Sequence, residues 1–158
     1  MENKQEKTNS AKSDPMALAI KAAIEASERG EVPVGAVVVG ANGETIAVEG
    51  NKTLELKDPT AHAEMLAIRK AAQVLGSERL IDCDLYVTLE PCPMCAQAIS
   101  FARIRRLYYG ADDVKGGGVD NGARVFSATS CHHKPEIYGG IRDVEAAKLL
   151  QDFFVKKR

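Results

Sequence analysis

Leu85-Tyr86-Val87-Thr88-Leu89-Glu90-Pro91-Cys92-Pro93-Met94-Cys95 is the stretch that decides the fold. Its opening residues, Leu85 to Leu89, are apolar, aromatic or β-branched and too few for a helix, so they read as a short strand. Pro91 and Pro93 then open a segment from about Cys92 to Ala102 that reads as a helix. A strand that feeds directly into a helix is the repeating unit of α/β proteins.

The pattern continues in both directions. Upstream, Ala61 to Leu75 is rich in Ala, Leu, Met and Lys and stops at Gly76, which predicts a helix. Asp58-Pro59-Thr60 punctuates its start, with Thr60 as the expected N-cap. Val34 to Val39 and Thr45 to Val48 flank Asn42-Gly43, a hairpin-turn dipeptide. Asp14-Pro15 caps and opens a first helix that carries Ile20, Ala23 and Ile24 and ends at Gly30. Downstream, Leu107 to Tyr109 is a further strand-like run, and residues 110–140, with Gly116-Gly117-Gly118, read mostly as loop. Val144, Ala147, Leu150 and Phe154 fall on one face of a terminal helix. The polar residues 1–13 are expected to form a disordered tail, and 14–158 a single domain. The expected architecture is α/β: a three-layer α/β/α sandwich around one mixed β-sheet.

Composition narrows the class. The chain has 158 residues, 45% hydrophobic and 27% charged, with a net charge of −1, which is ordinary for a globular protein. That balance argues against coating nucleic acid through bulk positive charge, while leaving room for a local basic patch. No apolar run approaches the roughly 20 residues of a membrane span. The N-terminus lacks the apolar region of a secretory signal, so a cytoplasmic location is expected. In that compartment four cysteines are better read as metal ligands or free thiols than as disulfides.

The chemistry concentrates in His62-Ala63-Glu64 and Cys92-Pro93-Met94-Cys95. One imidazole and a CxxC pair supply three zinc ligands, His62, Cys92 and Cys95, and leave a fourth position for water. Both clusters fall at expected helix starts, where the helix dipole favours thiolate. Zinc lowers the pKa of such a water from about 15.7 to about 7. Attack on an amidine-like carbon then needs protons delivered to a ring nitrogen and to the departing ammonia, and Glu64 is the candidate carrier. On an ideal helix, positions two apart point away from each other, so His62 and Glu64 converge only if the first turn is favourably placed.

His62-Ala63-Glu64 with Pro91-Cys92-Pro93-Met94-Cys95 resembles the signature of the cytidine deaminase superfamily. Longer strings resemble its bacterial tRNA adenosine deaminase branch, which makes wobble inosine. They are Glu31 to Ala36, Asp58 to Glu64, Leu85 to Cys92, Ser100 to Ile104 and Phe153-Phe154. The resemblance implies a cytidine deaminase-like fold and one Zn2+ per subunit on His62, Cys92 and Cys95, with Glu64 moving protons. It also implies a homodimer and a tRNA anticodon stem-loop as partner, with no membrane. Asn51 and Asp113 would contact the flipped nucleotide, and Phe153, Phe154, Lys157 and Arg158 would help hold the stem-loop, with either ring open to the RNA. Lys115 to Arg124 departs from the pattern in its glycine content, which bears on how the flanking RNA is held.

Each feature also has a simpler reading. Asn51 follows a strand and a glycine and could be a turn residue, Asp113 an ordinary loop carboxylate, and Lys157 and Arg158 a solvated helix end. Cys83 and Cys131 read as free thiols, and His132-His133 as a loop pair without matched metal spacing. The leading function is hydrolytic deamination of adenosine to inosine in an anticodon loop. The alternatives are a deaminase of a free base or nucleoside, and a non-catalytic RNA-binding module with a structural zinc.

Overall fold

The computed structural model describes residues 14–157. The expected tail at 1–13 and the stem-loop contact at Arg158 lie outside the described residues. In chain order the elements are α1 (Pro15–Glu28), β1 (Gly35–Val39), β2 (Thr45–Gly50), α2 (Ala63–Leu75) and β3 (Asp84–Leu89). There follow α3 (Pro93–Phe101), β4 (Arg106–Ala111), a 3-10 turn at Val125–Ser127, β5 (Glu136–Tyr138) and α4 (Asp143–Lys156).

The strands form one sheet in the order β2-β1-β3-β4-β5. β1 runs antiparallel to β2 and β3, whereas β3, β4 and β5 are parallel, so the sheet is mixed as expected. Alternation along the strands gives each face its own core. Val38, Leu85, Val87 and Leu107 pack with Ala67 and Ala71 of α2 and Ile99 of α3. Val37 and Val39 face the other way, against Met16, Ala19 and Ile20 of α1 and Leu149 of α4. The result is the three-layer α/β/α sandwich. The carboxyl ends of β3 and β4 open toward the loops that build the site, the usual ligand-binding edge of such sheets.

Three differences from the sequence reading have local causes. α2 starts at Ala63 rather than Ala61, with His62 as its extended N-cap residue. Thr60 does not cap the helix; its N–H and hydroxyl donate to Asp58 Oδ1 at 2.8 and 2.7 Å, which closes a separate turn. Strand β5, inside the region expected to be loop, has only three residues and no clean alternation, so it carries no local signal. Pairing with β4 holds it, and Tyr86, Tyr108 and Tyr138 stack across β3, β4 and β5 with centroids 4.4 and 5.0 Å apart. In α4 the buried positions are Ala146 and Phe153, with Leu149 and Leu150 half-buried, whereas Val144 is 78% and Phe154 51% exposed. The expected stripe is therefore rotated, and Phe154 is free to face outward.

Candidate metal centre and active site

The N-termini of α2 and α3 carry the reactive side chains. His62 sits at the N-cap of α2 with φ −70° and ψ 153°, and Cys92 at the N-cap of α3 with φ −70° and ψ 170°. This extended geometry removes the difficulty over His62 and Glu64. His62 is not a helical residue, so its side chain is not bound to the helical angle that separates positions two apart. His62 Nδ1 lies 3.6 Å from Cys92 Sγ and 3.5 Å from Cys95 Sγ. All three donor atoms fall within 4.8 Å of one another.

These residues fit zinc. Tetrahedral ligands at about 2.0–2.1 Å for nitrogen and about 2.3 Å for sulfur are separated by about 3.6 Å along an N–S edge. Among the described residues, this is the one group of His, Cys, Asp or Glu side chains with metal-binding spacing. Cys83, Cys131, His132 and His133 stay out of it. The Cys83 thiol is buried and raised above its ordinary value by that burial. Cys131 Sγ contacts Ser100 Oγ at 3.4 Å, and His133 Nε2 donates to the Ile104 carbonyl at 2.6 Å. The centre therefore has three protein ligands and no fourth from these groups.

A hydrogen bond couples the two thiols. The hydrogen bond from Cys95, helped by His62, pulls Cys92 down to about 4. The same bond, together with burial, pushes Cys95 up. The hydrogen bond to Cys92 raises the His62 imidazole against the opposing effect of its burial, and the nearby Glu64 charge adds to the rise. A divalent cation held by His62, Cys92 and Cys95 would displace thiol protons, since thiolate sites couple metal binding to proton release. Glu64, in the first turn of α2, is 4% exposed, and burial pushes its carboxyl up to about 7. A carboxyl poised there can accept and return a proton near neutral pH.

The centre forms the floor of a cavity of about 240 Å³. His62, Glu64 and Cys92 line it below, while Val32, Val34 and Leu89 give it an apolar wall. Asn51 and Asp113 also line it, so the structure brings both expected nucleotide contacts to the metal centre. Asn51 is buried, and its Nδ2 points to Thr53 Oγ1 at 3.5 Å rather than back to its own backbone. Asp113 Oδ1 accepts from Gly116 N at 2.8 Å. A larger groove of about 530 Å³ adjoins, shares Val32, Leu89 and Asp113, and is completed by Lys115, Leu150 and Phe154. Phe154 thus reaches the rim of the site. Lys157 instead rests its Nζ 5.0 Å over the Phe153 ring.

Two buried carboxylates escaped the sequence reading. Glu31, 1% exposed, accepts from the backbone N–H of Leu54 at 3.1 Å and of Glu55 at 2.8 Å, fixing the loop after β2. Glu90, 2% exposed, lies between β3 and Cys92 and lines the cavity. Its burial alone would raise its pKa, but hydrogen bonds from the Asn121 side chain and from the Asp113, Asn121 and Val119 backbone outweigh that and lower it. No spacing rule marks either residue, because their partners lie more than 20 positions away.

Comparison with known proteins agrees with this geometry. Residues 9–111 match the cytidine and deoxycytidylate deaminase zinc-binding region. A tRNA-specific adenosine deaminase of Agrobacterium fabrum is 59% identical over 143 residues, covering 90% of this chain and 93% of that protein. A solved structure from work on A-to-I editing by tRNA:A34 deaminases superposes with a TM-score of 0.85 at 59% identity, covering 86% of this chain and 98% of that one. A guanine deaminase from Nitrosomonas europaea shares the fold at 21% identity, with a TM-score of 0.77 over 89% of this chain and 83% of that one. With its zinc-ligand triad, buried glutamate and mixed sheet, this chain belongs to the cytidine and deoxycytidylate deaminase family.

Proposed function

We propose that the chain deaminates adenosine to inosine at the wobble position of a tRNA anticodon loop. The observation that carries the chemistry is a buried glutamate beside a three-ligand His/Cys/Cys centre at the floor of a cavity. The high identity to a tRNA-specific adenosine deaminase along nearly the whole chain supports the substrate. His62, Cys92 and Cys95 would hold zinc, which would supply Lewis acidity toward a water. Glu64 takes a proton from the attacking water, returns it to the purine ring nitrogen, and carries the second to the exocyclic amine. Water is consumed and ammonia leaves, so adenosine becomes inosine.

The cavity walls suit an extruded base. Val32, Val34 and Leu89 exclude water from the ring faces, while Asn51 and Asp113 offer polar groups to the nucleotide. Phe154 extends the apolar surface into the adjoining groove, where a neighbouring base can stack. Lys157 and Arg158, at the end of the chain, supply positive charge for phosphates. Residues 14–158 would act as one catalytic domain, since the two motifs that meet at the centre flank strands of one sheet. The same family resemblance supports a homodimer working in the cytoplasm. No helix among the described residues is long and apolar enough to cross a membrane.

The direct test incubates zinc-loaded protein with unmodified tRNA bearing adenosine at the wobble position, and with free adenosine, cytidine and guanine. Inosine at that one position, read by sequencing, is the expected result. Ammonia from a free base or nucleoside with the tRNA untouched would keep the zinc chemistry and overturn the RNA substrate.

A further inference from the structure

The glycine-rich segment after β4 has little apolar content, yet it forms a defined wall beside the metal centre. Val119 is buried in the core and the Tyr109 hydroxyl donates to the Asp120 carboxylate, but the largest set of hydrogen bonds to the segment converges on one side chain. Glu90 Oε2 accepts from the backbone N–H of Val119, Asp120 and Asn121 at 3.1, 3.0 and 3.0 Å. Glu90 Oε1 accepts from Asp113 N at 3.1 Å and from Asn121 Nδ2 at 2.7 Å. Five donors thus converge on one buried carboxylate from a segment more than 20 residues downstream. Hydrogen bonds to an ionised acceptor are about twice as strong as neutral ones, so this carboxylate adds to the apolar anchor that Val119 supplies.

The glycines permit the close approach. A Cβ on Gly117 would lie 2.5 Å from Glu90 Oε2 and nearer still to the Asp113 carbonyl. A Cβ on Gly118 would lie 2.6 Å from Pro93 N and 2.8 Å from the Cys92 carbonyl carbon. Gly118 N also donates to the Pro91 carbonyl at 2.8 Å. The loop is therefore seated on the turn that carries a metal ligand, and Asp113, whose N–H Glu90 holds, lines the cavity.

We propose that Glu90 is a positioning residue for the substrate: it locks residues 113–121 as the wall against which the nucleotide is held, and so sets affinity rather than proton transfer. The inference rests on the tRNA reading above, so its test includes a measurement that needs no substrate. Glu90→Gln keeps the side-chain size but offers a single oxygen. Whichever way the amide turns, its NH2 faces N–H donors on one side.

The expected results for Glu90→Gln are one zinc per chain, a KM for an anticodon stem-loop raised by about 10–100-fold and a kcat within about threefold of wild type. Amide hydrogen exchange over residues 113–121 should speed up in the same variant without substrate, while α2 and α3 stay protected. Gly117→Ala should reproduce the KM effect, and the double variant should be no worse than either single one, because both act through one contact. A kcat loss at unchanged KM, loss of zinc, or wild-type exchange in the loop would each overturn the proposal. If Glu90→Gln does not fold, Asn121→Ala, which removes one donor, takes its place: a raised KM supports the proposal and a wild-type KM overturns it. Failure of the wild-type protein on the stem-loop would count against the tRNA reading, and the exchange measurement would still decide the role of Glu90.

Discussion

The two walls of the catalytic cavity are built on opposite principles. The metal side is local: His62 and Glu64 stand two positions apart, Cys92 and Cys95 three, and each pair sits at the start of one helix. The facing loop is non-local, held by a glutamate more than 20 positions upstream and by a few apolar anchors, Val119 and Phe126. Local order leaves a readable spacing, whereas order imposed by one distant acceptor leaves none. The comparison also separates roles. The helix starts bring the metal-binding and carboxyl groups together, and the loop supplies the facing wall of the cavity.

The largest expected effect tests the independence of the metal side. Glu64→Gln should lower kcat on the tRNA by about 10²–10⁴-fold while zinc content and KM stay near wild type. Zinc loss in that variant, measured by metal analysis, would break the separation between holding the metal and moving protons. A middle-sized effect distinguishes the two rings at the end of α4. Phe153 is 8% exposed, so Phe153→Ala should cost about 3 kcal/mol in urea unfolding. Phe154 is 51% exposed and lines the groove, so Phe154→Ala should change stability by about 0.5 kcal/mol or less and raise KM for the stem-loop. Equal stability losses would place Phe154 in the core and remove it from the substrate side.

The smallest effect concerns the turn before α2. The hydrogen bonds from the Thr60 hydroxyl and N–H hold Asp58 below its ordinary value. A carboxyl depressed in the folded state contributes stability above its unfolded pKa, about 3.9, and that contribution fades as pH falls through the folded value. Thr60→Val removes the hydroxyl donor. The variant should melt slightly below wild type at pH 6, with the gap closing as pH drops below about 4. A gap that widens in acid would contradict the assignment of the turn to Asp58.

The α/β/α layering was legible because strand and helix periods differ and because Pro91, Pro93 and Asn42-Gly43 mark the joints. Residue type and spacing single out His62, Glu64, Cys92 and Cys95, which the fold does gather at one cavity, while the role of each comes from the resemblance to the deaminase signature. Thr60 misled as a helix cap because Asp58 and Thr60 form a turn of their own, which moves the cap to His62. That two-residue shift is what gives His62 its orientation toward the thiols. The face of α4 was misjudged by a fraction of a turn, since Ala146 and Phe153 pack inward while the larger Val144 is exposed. β5 and the clamped loop depend on partners far along the chain, and periodicity does not report such contacts.

Hydrolytic deamination at this site requires a zinc centre with three protein ligands and one position open to water. X-ray absorption at the zinc edge of the loaded protein tests it most directly. A His/Cys/Cys centre should show two sulfurs at about 2.3 Å, one imidazole nitrogen at about 2.0–2.1 Å and one light, exchangeable oxygen ligand. A third sulfur or a second imidazole would instead close the site with four protein ligands and contradict the catalytic reading.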